Sequence, residues 1–198
     1  MNESSLARLD TYLADSLATL LAAHGFEPKP EMASEAPDRS IDAGGYRVSP
    51  EADRGWAHRD GDFGATIGFT GDRLRGALVV SLGRRTLISS LPTRPGRKHE
   101  DDEMLADWAG ELANQLLGRL KNGLWSSGIE VALGTPVTFV GFNLEHFSPD
   151  PMVLRRSTCL VETGRVVVEL EMDCAADIEL AEAQAGNEGP FSGDVSLF

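Results

Sequence analysis

"LADWAGELANQLLGRLKNG", Leu105 to Gly123, decides how the rest of the chain is read. Wound at about 100° per residue, it gathers Leu105, Trp108, Ala109, Leu112, Leu116 and Leu120 on one apolar arc. The opposite arc holds Asp107, Glu111, Asn114, Gln115, Gly118, Lys121 and Asn122. A helix that needs only solubility fills its outer arc with Lys, Glu and Arg. This one aligns an acid, an acid, an amide and a bare glycine at i, i+4, i+7 and i+11. The row is low at Gly118, where another surface can approach closely.

A helix with one apolar arc must be laid on another layer, and the flanking sequence supplies a sheet. "FGATIGFT" alternates Phe63, Ala65, Ile67 and Phe69 on one face, the pattern of a half-buried strand. "TGDR" turns it into "LRGALVVSL", and a short helix, "RRTLISSL", stops at Pro92. Beyond Gly123 and Gly128 come "IEVAL", "PVTFVGFNLEHF", "VLRRSTCLVET" and "RVVVELEMDC". Residues 4 to 24 form a second long helix, with Leu6, Leu9, Leu13, Leu17, Leu20 and Leu21 at helical spacing and Gly25 as its stop. The inventory predicts an α+β fold: a six-stranded, largely antiparallel sheet with two long helices packed on it. Residues 1–174 read as one domain with a long Pro-, Gly- and Asp-rich loop at 33–62. Residues 175–198 read as an acidic, mobile tail.

Charge and composition exclude several functions. The net charge of −13 argues against nucleic acid or an anionic membrane, which require a basic surface. No apolar run approaches the roughly 20 residues that span a bilayer, and "MNESSLARLD" is no secretory signal, so the expected compartment is the cytoplasm. The run Glu100, Asp101, Asp102, Glu103 opens the helix, where acids complement its dipole, and with His99 it is not read as a metal site. His24, His58, His99 and His146 lack ligand spacing. Cys159 and Cys174 fall on strands joined by "ETGR"; that turn sets Cys159 opposite Val168 and Cys174 opposite Val153, too far apart for a disulfide. "GDFGATIGFTG" opens no helix and is not a phosphate loop.

The spacing Asp107-x3-Glu111-x2-Asn114, followed downstream by Pro136, resembles the signature of the CheX/CheC/FliY family of chemotaxis phosphatases. The resemblance extends back through "RGALVVSLGRRTLISSL" and forward through "GIEVALGTPVTFVG", about residues 63 to 141. Taken alone, acids and amides on an outer arc are the ordinary solvated face of a helix; the flanking strands and the proline set this one apart. The resemblance implies a CheX-like fold and dephosphorylation of a phosphorylated CheY-like receiver domain. Asn114 would hold a water in line with the phosphorus, since an amide can both accept from water and donate to phosphoryl oxygen. Glu111 would pair with the receiver's lysine, Asp107 would lie at the rim, and Gln115, Gly118 and Lys121 would complete the docking face. Pro136 is structural, at the start of a strand where a missing N–H costs little. The chain would bind no cofactor itself, the divalent metal (Mg) belonging to the receiver.

The first helix carries Asp10, Ala14 and Leu17 at the matching offsets, so it lacks the acid–amide pair, and one site per chain is expected, nearer CheX than CheC. A homodimer is expected from CheX-type relatives and from the sheet edges that need cover. Two other readings stay open: a non-catalytic receiver-binding or flagellar-switch module that uses the same helix face, and a structural dimer without receiver contact.

Overall fold

Period-two alternation assembles the sheet. In the computed structural model, which describes residues 1–30, 62–92, 101–141, 153–175 and 178–180, β2 (Asp62–Thr70) and β3 (Leu74–Gly83) form an antiparallel hairpin. Its register sets Phe63 beside Leu82, Ala65 beside Val80 and Ile67 beside Leu78. β7 (Gly164–Cys174) continues that face, Val166, Val168 and Leu170 lying opposite Leu82, Val80 and Leu78. All of these side chains are buried. β6 (Val153–Val161) pairs with β7, and β1 (Lys29–Pro30) pairs with β6. On the far side of β2 lie the short β4 (Ala132–Leu133) and β5 (Val137–Gly141).

Three helices complete the described fold: α1 (Glu3–Ala23), α2 (Arg84–Ser90) and α3 (Asp102–Trp125). α3 lies over β2 and β5, while α1 lies over β6 and against α3. Leu105, Leu112, Leu116, Leu117, Leu120 and Leu124 of α3 are all buried in the single core they share with α1 and the sheet. Each buried leucine contributes roughly 1.5–3 kcal/mol, against about 1 kcal/mol for an N-cap such as Asp101, which accepts from the Met104 N–H at 2.9 Å. Packing therefore fixes where α3 sits, and its cap fixes where it starts. The acids Asp102 and Glu103 occupy its first turn, and Asp102 also pairs with Arg84 of α2.

The α+β architecture and the six strands read from sequence are present, with β1 as an added two-residue edge strand. "IEVAL" contributes only Ala132 and Leu133 as strand; Ile129 and Val131 are instead buried in the core. The last hairpin differs in register. Val161 pairs with Gly164 and Cys159 with Val166, because the turn is the two-residue Glu162-Thr163 and not the four residues "ETGR". Cys159 and Cys174 are both buried free thiols. Burial pushes the Cys159 thiol above its ordinary pKa.

The segment after β7 also differs from the reading of a tail beginning at 175. Ile178 and Leu180 are buried. The backbone of Leu180 is held at both ends: its N–H donates to Ser5 Oγ at 3.1 Å, and its carbonyl accepts from Arg8. Burial of two apolar side chains and these backbone bonds to α1 hold the end of the segment in place. Of the loop read over 33–62, Asp62 is the first residue of β2 and the rest lies outside the described residues, as do the residues about His99 and the chain beyond Leu180.

Candidate functional site

One glycine sets the geometry of α3 against the sheet. Gly110 is buried on α3, and a Cβ there would stand 3.0 Å from Thr138 Cγ2 and 3.5 Å from Pro136 Cβ. A bare position at 110 lets the helix close on the start of β5. Between them runs an open groove of about 360 Å³. Asp107, Gly110, Glu111 and Asn114 line its helix side, and Pro136 and Thr138 its strand side. Pro136 immediately precedes β5, whose Thr138 pairs with Ala65 of β2, so the strand wall is tied into the sheet through β2.

The groove thus unites four residues singled out from sequence: Asp107, Glu111, Asn114 and Pro136. Asp107 is exposed, whereas Glu111, Asn114 and Pro136 are half-buried. Gln115, Gly118 and Lys121 do not line it. Gln115 turns the other way: its Nε2 donates to Glu111 Oε1 at 2.8 Å, and its Oε1 lies 3.3 Å from His24 Nε2. Gly118 is half-buried, and a Cβ there would meet nothing within 4 Å. Lys121, ten residues after Glu111, stands roughly 15 Å along the axis from it. Trp108, read as part of the apolar arc, is half-buried. Its indole N–H donates to Ser90 Oγ at 2.9 Å, and its ring meets the His24 ring edge-on at 5.3 Å.

Sequence reading passed over Gly110, Thr138 and the side-chain partners of Gln115. A signal for Gly110 exists, since an unforced glycine inside a helix costs about 1 kcal/mol relative to alanine. No comparable signal marks Thr138 or His24, which reach α3 only through the tertiary fold.

Chemically, the helix wall offers carboxylate oxygens for a cation or an ammonium group and one neutral amide that can both donate and accept. Among the described residues no three His, Cys, Asp or Glu side chains are grouped to hold a metal ion. No helix among them is long and apolar enough to cross a membrane.

An antiparallel sheet carrying such a helix is also found in solved structures of other proteins. Residues 63–151 match the family profile described as Chemotaxis phosphatase CheX. The fold is similar to that of CheX from Vibrio vulnificus, with TM-score 0.55 and 19% identity over 84% of this chain and 95% of that one. A chemotactic CheC-like protein from Shewanella oneidensis superposes with TM-score 0.59 and 18% identity, covering 87% of this chain and 100% of that one. The CheX of a CheX–CheY–BeF3–Mg2+ complex from Borrelia burgdorferi gives TM-score 0.53 and 12% identity, over 85% and 97% of the two chains. A search of curated protein sequences finds no match. The resemblance read from the α3 helix therefore holds: residues 63–151 match the CheX profile, and the described fold is that of the CheX and CheC-like structures.

Proposed function

We propose that this protein removes the phosphoryl group from a phosphorylated CheY-like receiver domain, with the groove between α3 and β5 as the place where the two meet. The observation that carries the reading is the convergence of Asp107, Glu111 and Asn114 with Pro136 on one open groove. The family match names a chemotaxis phosphatase, and a relative of the same fold has been seen in complex with CheY, BeF3 and Mg2+.

In this reading Glu111 forms an ion pair with the receiver's lysine and sets the docking register, with Asp107 at the rim. Asn114 holds a water on the axis of the scissile bond: its carbonyl accepts one water hydrogen while its amide N–H donates to a phosphoryl oxygen. The water oxygen bonds to phosphorus, the bond from phosphorus to the receiver's aspartyl oxygen breaks, and aspartate and inorganic phosphate result. A water proton goes to the phosphate or to solvent. Such positioning is the main contribution a protein makes to phosphoryl transfer. The divalent metal belongs to the receiver and neutralises phosphoryl charge there.

The test is the decay of CheY-type receivers phosphorylated with acetyl phosphate, followed with and without this protein. Accelerated release of phosphate supports the reading. Binding of the receiver with no change in its decay would assign a docking module instead.

A further inference from the structure

Glu111 has a second neighbourhood, facing away from the groove. Trp108, Glu111 and Gln115 are spaced i, i+3, i+7 along α3 and share the stripe turned toward the end of α1. There His24 caps α1, its backbone N–H bonding to the carbonyls of Leu20 and Leu21. An ionised carboxylate only accepts hydrogen bonds, so the Gln115 amide must present its NH2 to Glu111 and its oxygen to His24. That orientation in turn requires a proton on His24 Nε2, which is available in both the neutral Nε2–H form and the imidazolium. The His24 ring is itself braced edge-on against Trp108, at 5.3 Å and 88°, and Trp108 is fixed by its bond to Ser90. Ser90 Oγ donates to the Leu87 carbonyl at 2.7 Å. A chain of contacts therefore runs from α2 through Trp108 and His24 to the one carboxylate that sits both in the groove and in this cluster.

We propose that Gln115 and His24 are positioning residues for Glu111: they hold its carboxylate in one orientation before the partner arrives, a role that rests on Glu111 acting in receiver docking. A free glutamate samples several rotamers, and ordering it on docking costs entropy. A carboxylate already tethered at Oε1 keeps its other oxygen free for the incoming cation. The tether therefore acts on docking and not on the water held by Asn114.

Gln115→Met keeps the shape and removes the amide. It should lower kcat/KM for dephosphorylation of an acetyl-phosphate-loaded receiver by roughly tenfold, the scale of one hydrogen bond to a charged group. The loss should fall on KM, with kcat little changed. His24→Phe keeps the ring against Trp108 and removes the donor; it should act in the same direction and add nothing to Gln115→Met. His24→Gln, which restores a donor, should recover part of the loss. In a Glu111→Ala background, Gln115→Met should have no further effect; an undiminished effect there overturns the proposal, as does a KM unchanged in both single variants.

Chemical shifts of the Gln115 side-chain amide in the free protein give a readout that needs no activity. They should move in Glu111→Ala and in His24→Phe, and an amide that moves in neither overturns the proposal. If the wild-type protein does not accelerate receiver decay, the phosphatase reading fails. The amide shifts then still decide whether the tether exists, and affinity for a receiver loaded with beryllofluoride and Mg2+ decides whether it aids docking.

Discussion

Gly110→Ala sets two calculable effects against each other. Alanine in place of a helix-interior glycine stabilises a helix by about 1 kcal/mol when nothing else changes. Here the added methyl would lie 3.0 Å from Thr138 Cγ2, inside the roughly 3.5–4.0 Å at which carbon atoms attract. Its distance to Pro136 Cβ, 3.5 Å, is an ordinary contact. Relieving one such clash costs about 1–3 kcal/mol in a packed site, so the single variant should be unchanged in stability or weaker by up to about 2 kcal/mol. Thr138→Ser removes the offending Cγ2 and keeps the hydroxyl. In that background Gly110→Ala should stabilise by up to about 1 kcal/mol, giving a coupling on the order of 1–3 kcal/mol. Urea unfolding of the four proteins of the cycle, with constant m-values, measures this directly. The same methyl intrudes on the floor of the groove, so receiver dephosphorylation should fall in the single variant and recover in the double. A Gly110→Ala protein that gains the full 1 kcal/mol with Thr138 intact would refute the close approach of α3 to β5.

The remaining predictions concern the helix face and one acid outside it. Asn114→Ala should abolish accelerated dephosphorylation while affinity for a beryllofluoride-loaded receiver survives, because only a transition-state contact is lost; wild-type turnover in that variant would remove the water-positioning role. Glu111→Ala should weaken that affinity by about 2–5 kcal/mol, with Glu111→Gln recovering part, as titration calorimetry can measure. Gly118→Ala has room for its methyl within the chain. It should raise unfolding stability by up to about 1 kcal/mol yet reduce receiver affinity if the partner presses there; unchanged affinity places Gly118 outside the interface. Asp10 is held above its ordinary carboxylate pKa of 3.8 by burial, partly opposed by Arg155, whose Nε lies 3.2 Å from its Oδ1. With the folded value above the unfolded one, Asp10 favours the fold while protonated, and that contribution is lost as pH rises through the folded pKa. Asp10→Asn should remove this loss, so the difference between the variant and wild-type stability curves should slope just above pH 3.8. A flat difference curve there rejects the assignment.

Local pattern settled most of the architecture before any contact was known. Strict alternation in Phe63–Phe69 and Val166–Cys174 allows only one buried face, and leucines at helical spacing allow only one for α1 and α3. The acid–acid–amide row on α3 was legible for the same reason, since helical geometry alone puts Asp107, Glu111 and Asn114 on one side. Tertiary structure decided what local pattern could not reach. The two-residue turn at Glu162-Thr163 shifted the register away from the one that a four-residue "ETGR" turn would set. Ile178 and Leu180 are buried, and the Leu180 backbone is bonded to α1, within a segment too acidic to advertise it. Above all, the groove needs two walls distant in sequence. Helical spacing supplied Asp107, Glu111 and Asn114, but Pro136 and Thr138 reach them only because β5 joins the sheet beside β2 and Gly110 lets α3 descend onto it. His24 stands 91 residues from Gln115. Contacts across such separations are set by how helices pack on a sheet, and periodicity along one segment carries no information about what lies across the gap.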